Sequence, residues 1–185
     1  VHPDGFGGSW WGERADSTVL AETNIVKELL PHIDSLYRSD TSGRIIGGLS
    51  MGGYGSLSYA LRYPLLFKGC ISIDGPLLRE PSQFGGSFAT MFGDDAPRFE
   101  RYNPFYSARA LVSSGQSAPP LLLISGAFVK ENRAFGAWLD SLGIPPGLVQ
   151  LEQTGCDHSF SCLMNAAGEV LFRFVGQQLT APDSR

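Results

Sequence analysis

An apolar run, Arg44-Ile45-Ile46-Gly47, leads into Gly48-Leu49-Ser50-Met51-Gly52, and a helical pattern follows from Tyr54 to Tyr63. Strand, Gly-x-Ser-x-Gly, helix is the layout of a nucleophile elbow. It requires a buried strand whose end turns abruptly into a helix. The turn is so sharp that its serine must adopt a strained backbone, and small residues two before and two after it avoid clashes. The serine oxygen then stands clear of the sheet at a helix N-terminus, where developing negative charge is favoured.

The rest of the chain alternates in the same way. Val26, Leu29, Leu30, Ile33, Leu36 and Tyr37 fall at helical spacing between Asn24 and Tyr37. Pro31 lies inside that helix and should kink it, because proline brings no amide proton and crowds the carbonyl of Lys27. Gly69 to Asp74 reads as the strand after the elbow, Leu121 to Ile124 as a third and Leu148 to Gln153 as a fourth. Asn132 to Leu142 and Ser161 to Leu179 read as helices. Asp94-Asp95-Ala96-Pro97 has the form of a helix start, a capping aspartate with proline soon after. The glycine- and aromatic-rich residues Val1 to Thr18 read as a loop following a strand that ends near Val1. Helices alternating with short apolar strands predict an α/β fold, a parallel sheet flanked by helices on both faces. The chain is expected to be one domain, 1–185, with a lid-like insertion at 76–118.

Composition narrows the chemistry. The chain has 185 residues, 43% of them hydrophobic, which is enough for one well-filled core. Its net charge is −4 and it has no basic run, so nucleic acid is not an expected partner. No apolar stretch is long enough to span a bilayer, and no membrane partner is expected. Val1-His2-Pro3-Asp4-Gly5 does not resemble a signal peptide. Neither Cys-x-x-Cys nor His-x-x-x-His occurs, so no metal site is expected. Cys70 sits in an apolar run and reads as an inert core thiol. Cys156 and Cys162 flank His158, and either a short-loop disulfide or two buried thiols fits that spacing.

Serine needs a base to become a nucleophile. Only three histidines occur: His2, His32 and His158. His2 is placed at the end of the leading strand, beside Pro3, and His32 within a helix. His158 lies on the loop between the fourth strand and the last helix, at the strand ends where catalytic groups of open parallel sheets collect. It also follows the serine in the chain, the order in which a base follows a nucleophile elbow. His158 is therefore the expected base for Ser50.

Gly47-Gly48-Leu49-Ser50-Met51-Gly52-Gly53-Tyr54-Gly55 resembles the nucleophile motif of the esterase D family of α/β-hydrolases. That family includes S-formylglutathione hydrolases, feruloyl esterases, siderophore esterases and mycolyltransferases. Gly155-Cys156-Asp157-His158-Ser159-Phe160 is similar to the histidine loop of the S-formylglutathione hydrolase branch. Pro3-Asp4-Gly5 with Ser9-Trp10, Phe92-Gly93-Asp94-Asp95 and Glu131-Asn132-Arg133-Ala134-Phe135 resemble further landmarks, in family order. The resemblance implies an α/β-hydrolase-like sheet, an acyl-enzyme on Ser50, and a small ester or thioester substrate. It implies no cofactor. It also implies that Trp10 and Trp11 wall the substrate pocket, although packing of a long loop explains them equally well.

Two departures bear on the site. The family's acid normally lies a few residues beyond the Gly126 position, where Ala127-Phe128-Val129-Lys130 holds none. Glu131 is the expected orienting acid, with Asp74 its rival and a Ser50–His158 dyad the third arrangement. Relatives also carry strands before the Pro3-Asp4-Gly5 position, and a loop there supplies one oxyanion amide. Here only the Met51 amide is expected, and losing one such donor lowers turnover by about 10²–10³-fold. The chain is accordingly read as N-terminally truncated, a fragment or one piece of a larger assembly, with activity conditional on a complete oxyanion hole. The expected function is a serine carboxylic-ester or thioester hydrolase. The alternatives are an acyltransferase of the same family and a non-catalytic hydrolase-like scaffold.

Overall fold

The computed structural model describes residues 1–37, 43–86, 91–93, 95–151 and 155–181. Four parallel strands form one sheet in chain order: β1 (Ile45–Leu49), β2 (Gly69–Ile73), β3 (Leu121–Ser125) and β4 (Gly147–Gln150). The helices around them are α1 (Leu30–Tyr37) before β1, α2 (Met51–Arg62), α3 (Ala96–Tyr102), α4 (Pro104–Ser113) and α5 (Val129–Ser141) between strands, and α6 (Phe160–Thr180) after β4. The parallel sheet covered on both faces is as the alternation predicts. Glu152 and Gln153, read as the end of the fourth strand, and Asp94 lie outside the described residues.

Side-chain alternation along the strands sorts the core into two layers. Cys70, Leu121 and Leu123 point to one face and pack with Tyr54, Leu57 and Leu61 of α2, Phe105 and Leu111 of α4, and Phe135 and Leu139 of α5. Ile71, Ile73, Leu122 and Ile124 point to the other and pack with Leu163 and Ala167 of α6. β2 and β3 are buried on both faces, hence their unbroken apolar sequences. Each fully buried leucine or phenylalanine contributes roughly 1.5–3 kcal/mol.

Two local readings acquire detail. The helix carrying Pro31 begins as an α turn, Ala21–Thr23, and widens into a π-helical stretch, Asn24–Leu29, before α1. The Leu30 amide reaches back to the Ile25 carbonyl. The predicted disturbance at Pro31 thus takes the form of a wider turn just before it. Asp95 caps α3, its carboxylate accepting from the Arg98 amide at 3.1 Å, with Pro97 in the first turn. Residues 1–5, read as part of the first loop, form no strand, and Val1 is exposed. Pro3 and the Asp4 turn, whose carboxylate accepts from the Phe6 amide at 2.8 Å, keep this stretch irregular. Among the described residues, no helix is long and apolar enough to cross a membrane.

The segment read as lid-like holds a short 3₁₀ turn, Pro81–Phe84, followed by α3 and α4. Phe84, Phe92 and Phe99 make mutual edge-on ring contacts at 5.5–5.9 Å and are buried.

Candidate active site

Ser50 follows β1 and caps α2 with φ 56° and ψ −123°, a left-handed backbone that only a sharp turn imposes. Its amide donates to the Ile73 carbonyl at 2.9 Å, and its carbonyl accepts from the Tyr54 amide at 3.1 Å. A Cβ on Gly48 would come within 2.5 Å of the Gly52 carbonyl carbon, so the turn closes only because residue 48 is glycine. Met51 is the first residue of α2, where an amide has no partner inside the helix.

Asp74 holds the corresponding place after β2. It is one residue beyond Ile73, which pairs with Leu49, and it too is left-handed, at φ 48°. Its side chain is 0% exposed. Oδ1 accepts from three consecutive amides, those of Gly126 at 3.0 Å, Ala127 at 3.1 Å and Phe128 at 3.0 Å. Oδ2 lies 2.6 Å from Nδ1 of His158. Three amides and one imidazole satisfy the buried carboxylate.

His158 stands on the loop before α6, 40% exposed, with the Phe128 ring edge-on to it at 5.4 Å between centroids. A Cβ on Gly126 would lie 2.3 Å from the Cys156 carbonyl oxygen and 3.0 Å from that of Asp157, so the histidine loop rests directly on the turn after β3. Cys156 and Cys162 are joined in a disulfide, which settles the alternative left open by their spacing. Cys70 is a free, buried thiol, and burial pushes its pKa up.

The structure thus brings His158 to the strand-end rim where Ser50 and Asp74 sit side by side. It brings Asp74, not Glu131, to the histidine. Glu131, the expected orienting acid, lies instead in the first turn of α5 and lines a cavity of about 420 Å³ with Arg79, Lys130 and Trp138. The physical reason is registry: Asp74 lies beside Ser50 on the adjacent strand, while the turn after β3 turns its amides, not a carboxylate, toward the same point. The cue available in sequence was an aspartate ending a buried strand ahead of Gly75-Pro76. His2 and His32 are exposed.

Trp10 and Trp11 fold the first loop onto α2. Trp10 makes edge-on contacts with Tyr54 at 5.1 Å and Phe84 at 4.9 Å. The Trp11 carbonyl accepts from the Tyr59 hydroxyl at 2.6 Å, and its indole covers Gly55, where a Cβ would meet it at 2.3 Å. Both rings are partly exposed. Among the described residues, no cluster of His, Cys, Asp and Glu could hold a metal ion.

A parallel sheet carrying a left-handed serine at the end of one strand, and an aspartate–histidine pair at the same rim, defines the α/β-hydrolase class. The Esterase family model matches residues 12–134, and the chain belongs to that family. Esterase Rv1288 of Mycobacterium tuberculosis is 37% identical over 81 residues, covering 41% of this chain and 18% of that protein. Among solved structures, FphF, a fluorophosphonate-binding serine hydrolase of Staphylococcus aureus, matches 94% of this chain and 69% of its own at TM-score 0.75 and 17% identity. An S-formylglutathione hydrolase from Agrobacterium tumefaciens matches 93% of this chain and 63% of its own at TM-score 0.72 and 22% identity. MPT51 (FbpC1) of Mycobacterium tuberculosis matches 94% and 75% at TM-score 0.73 and 20% identity. At these identities the structural likeness speaks for the fold.

Proposed function

We propose that this chain hydrolyses small carboxylic esters or thioesters through an acyl-enzyme on Ser50, with His158 as base and Asp74 as the acid that orients it. The observation that carries the reading is the 2.6 Å contact between His158 Nδ1 and Asp74 Oδ2. It fixes the proton on Nδ1 and leaves the Nε2 lone pair to accept the Ser50 proton.

Ser50 Oγ attacks the carbonyl carbon while Nε2 takes its proton. The Met51 amide, at the N-terminus of α2, donates to the oxyanion. The imidazolium gives its proton to the departing alcohol or thiol. A water deprotonated by His158 then attacks the acyl-Ser50 carbonyl, and collapse returns the free serine and the acid. No cofactor enters these steps. Trp10 and Trp11 are the proposed walls of the substrate pocket, since their loop covers the first turns of α2.

The test is labelling by a fluorophosphonate probe and turnover of p-nitrophenyl butyrate, each beside Ser50→Ala. Labelling and turnover that vanish in the variant support the hydrolase. Equal background in both would leave a non-catalytic scaffold. Ester product formed with an added alcohol would point to acyl transfer.

A further inference from the structure

His158 sits inside a covalent ring. The Cys156–Cys162 disulfide spans a sequence separation of six residues and encloses Asp157, His158, Ser159, Phe160 and Ser161. Those five enclosed residues are all exposed. Among the described residues, no backbone hydrogen bond involves Asp157 or His158. The loop's contacts among the described residues are at its ends and through side chains: the Ser159 carbonyl accepts from the Leu163 amide at 2.9 Å, and His158 meets Asp74 and the Phe128 ring.

The two ends of the ring are anchored differently. Cys156 is buried in the core layer that contains Ile124, Leu163 and Ala167. Cys162 belongs to the first turn of α6, where its amide donates to the Ser159 hydroxyl at 3.5 Å. The disulfide ties the start of the loop to that helix, and the Cys156 carbonyl to its seat on Gly126. Gly126 also gives its amide to Asp74 Oδ1. The bond, the glycine seat and the carboxylate thus form one continuous frame around the histidine.

We infer that Cys156 and Cys162, as a disulfide, are positioning residues for His158, so that the hydrolytic competence of the site depends on their being oxidised. This rests on the proposed roles of Ser50 and His158. A bridge closing so short a ring restricts the unfolded chain less than a long-range bridge does. Its main effect is local, on the imidazole. Reduction by a dithiol is balanced: one thiolate attacks a sulfur of the bridge, the second displaces the mixed disulfide, and two electrons and two protons leave Cys156 and Cys162 as thiols while the reductant closes into its own disulfide. The protein's remaining thiol, Cys70, is buried and takes no part.

The experiment compares wild type, wild type reduced with dithiothreitol, Cys162→Ser and Ser50→Ala. It reads p-nitrophenyl butyrate kinetics, circular dichroism, and the downfield proton resonance of the His158 Nδ1–H bound to Asp74. Expected is a kcat lower by about 10- to 100-fold in the reduced protein and in Cys162→Ser, with KM within twofold and the fold retained. The Nδ1 resonance is expected to broaden or vanish in both. Reoxidation should restore kcat and resonance in wild type and not in Cys162→Ser. A reduced protein that keeps its kcat within twofold and its Nδ1 resonance would overturn the inference, even if Cys162→Ser failed to fold. Absence of hydrolysis in wild type would instead count against the serine hydrolase reading, and the resonance would still decide the positioning role.

Discussion

Ser50 and Asp74 occupy equivalent places on neighbouring strands: each is the first residue past a register pair, Leu49 with Ile73, and each has a left-handed backbone. The Ser50 amide donates to the Ile73 carbonyl and the Asp74 amide to the Ile124 carbonyl, so each turn is fastened to the last residues of the next strand. Such conformations cost on the order of 1–3 kcal/mol each, and the flanking buried strands hold them in place.

Asp74→Asn is expected to lower kcat for p-nitrophenyl butyrate by about 10³–10⁴-fold, because an amide can present its N–H to Nδ1 and stabilise the wrong tautomer. Glu131→Gln should stay within twofold of wild type. Steady-state kinetics on the two variants decide between them, and a large loss in Glu131→Gln alone would restore Glu131 as the acid.

Gly48→Ala places a methyl group 2.5 Å from backbone that has no room to move. A loss of roughly 1–3 kcal/mol in urea unfolding is expected. Fluorophosphonate labelling of the folded fraction should also slow, since the turn presents the Ser50 hydroxyl.

Gly126→Ala pushes against the Cys156 and Asp157 carbonyl oxygens, the seat of the histidine loop. Turnover should fall by about 10²-fold, as expected for a base displaced by about 1 Å. A thermal melt alongside the kinetics would show whether the fold is retained; normal turnover in a folded variant would mean that the seat does not set the imidazole.

Glu22 gives a prediction about acid stability. It is buried, which by itself would raise its pKa. The Arg62 guanidinium, the Tyr63 hydroxyl and Arg101 at 3.5 Å outweigh that and hold the carboxyl below its ordinary value. The folded state thus binds fewer protons than the unfolded one across that interval, and stability rises with pH there. The contribution is complete above the ordinary glutamate value of about 4.3 and drains away as pH falls through the lower folded value. Glu22→Gln should be less stable than wild type by about 2 kcal/mol at pH 7, and the gap should close under acid conditions. Urea midpoints at pH 7 and pH 3 measure it.

The sheet was legible because β2 and β3 are buried on both faces and so read as unbroken apolar runs. The turn at Ser50 was legible because its sharpness needs Gly48, and the place of His158 because it alone among three histidines lies on a loop at the strand ends. The carboxylate that meets His158 was harder to read. An aspartate after a strand is more often a loop cap, and what marks Asp74 is contact with the Gly126, Ala127 and Phe128 amides, 52 to 54 residues away in the chain. Phe128 beside His158 and the choice between thiols and disulfide likewise depend on tertiary proximity.

With Oδ1 of Asp74 engaged by three successive peptide N–H groups, the carboxylate cannot flip to exchange its oxygens. Charge comes from the residue after β2, while the segment after β3 offers that charge peptide dipoles. For the carboxylate, the course of the main chain at 127 and 128 therefore matters more than the side chains carried there. A proline at either place deletes a donor and unsettles the anion, whereas many other side chains leave the donor set intact.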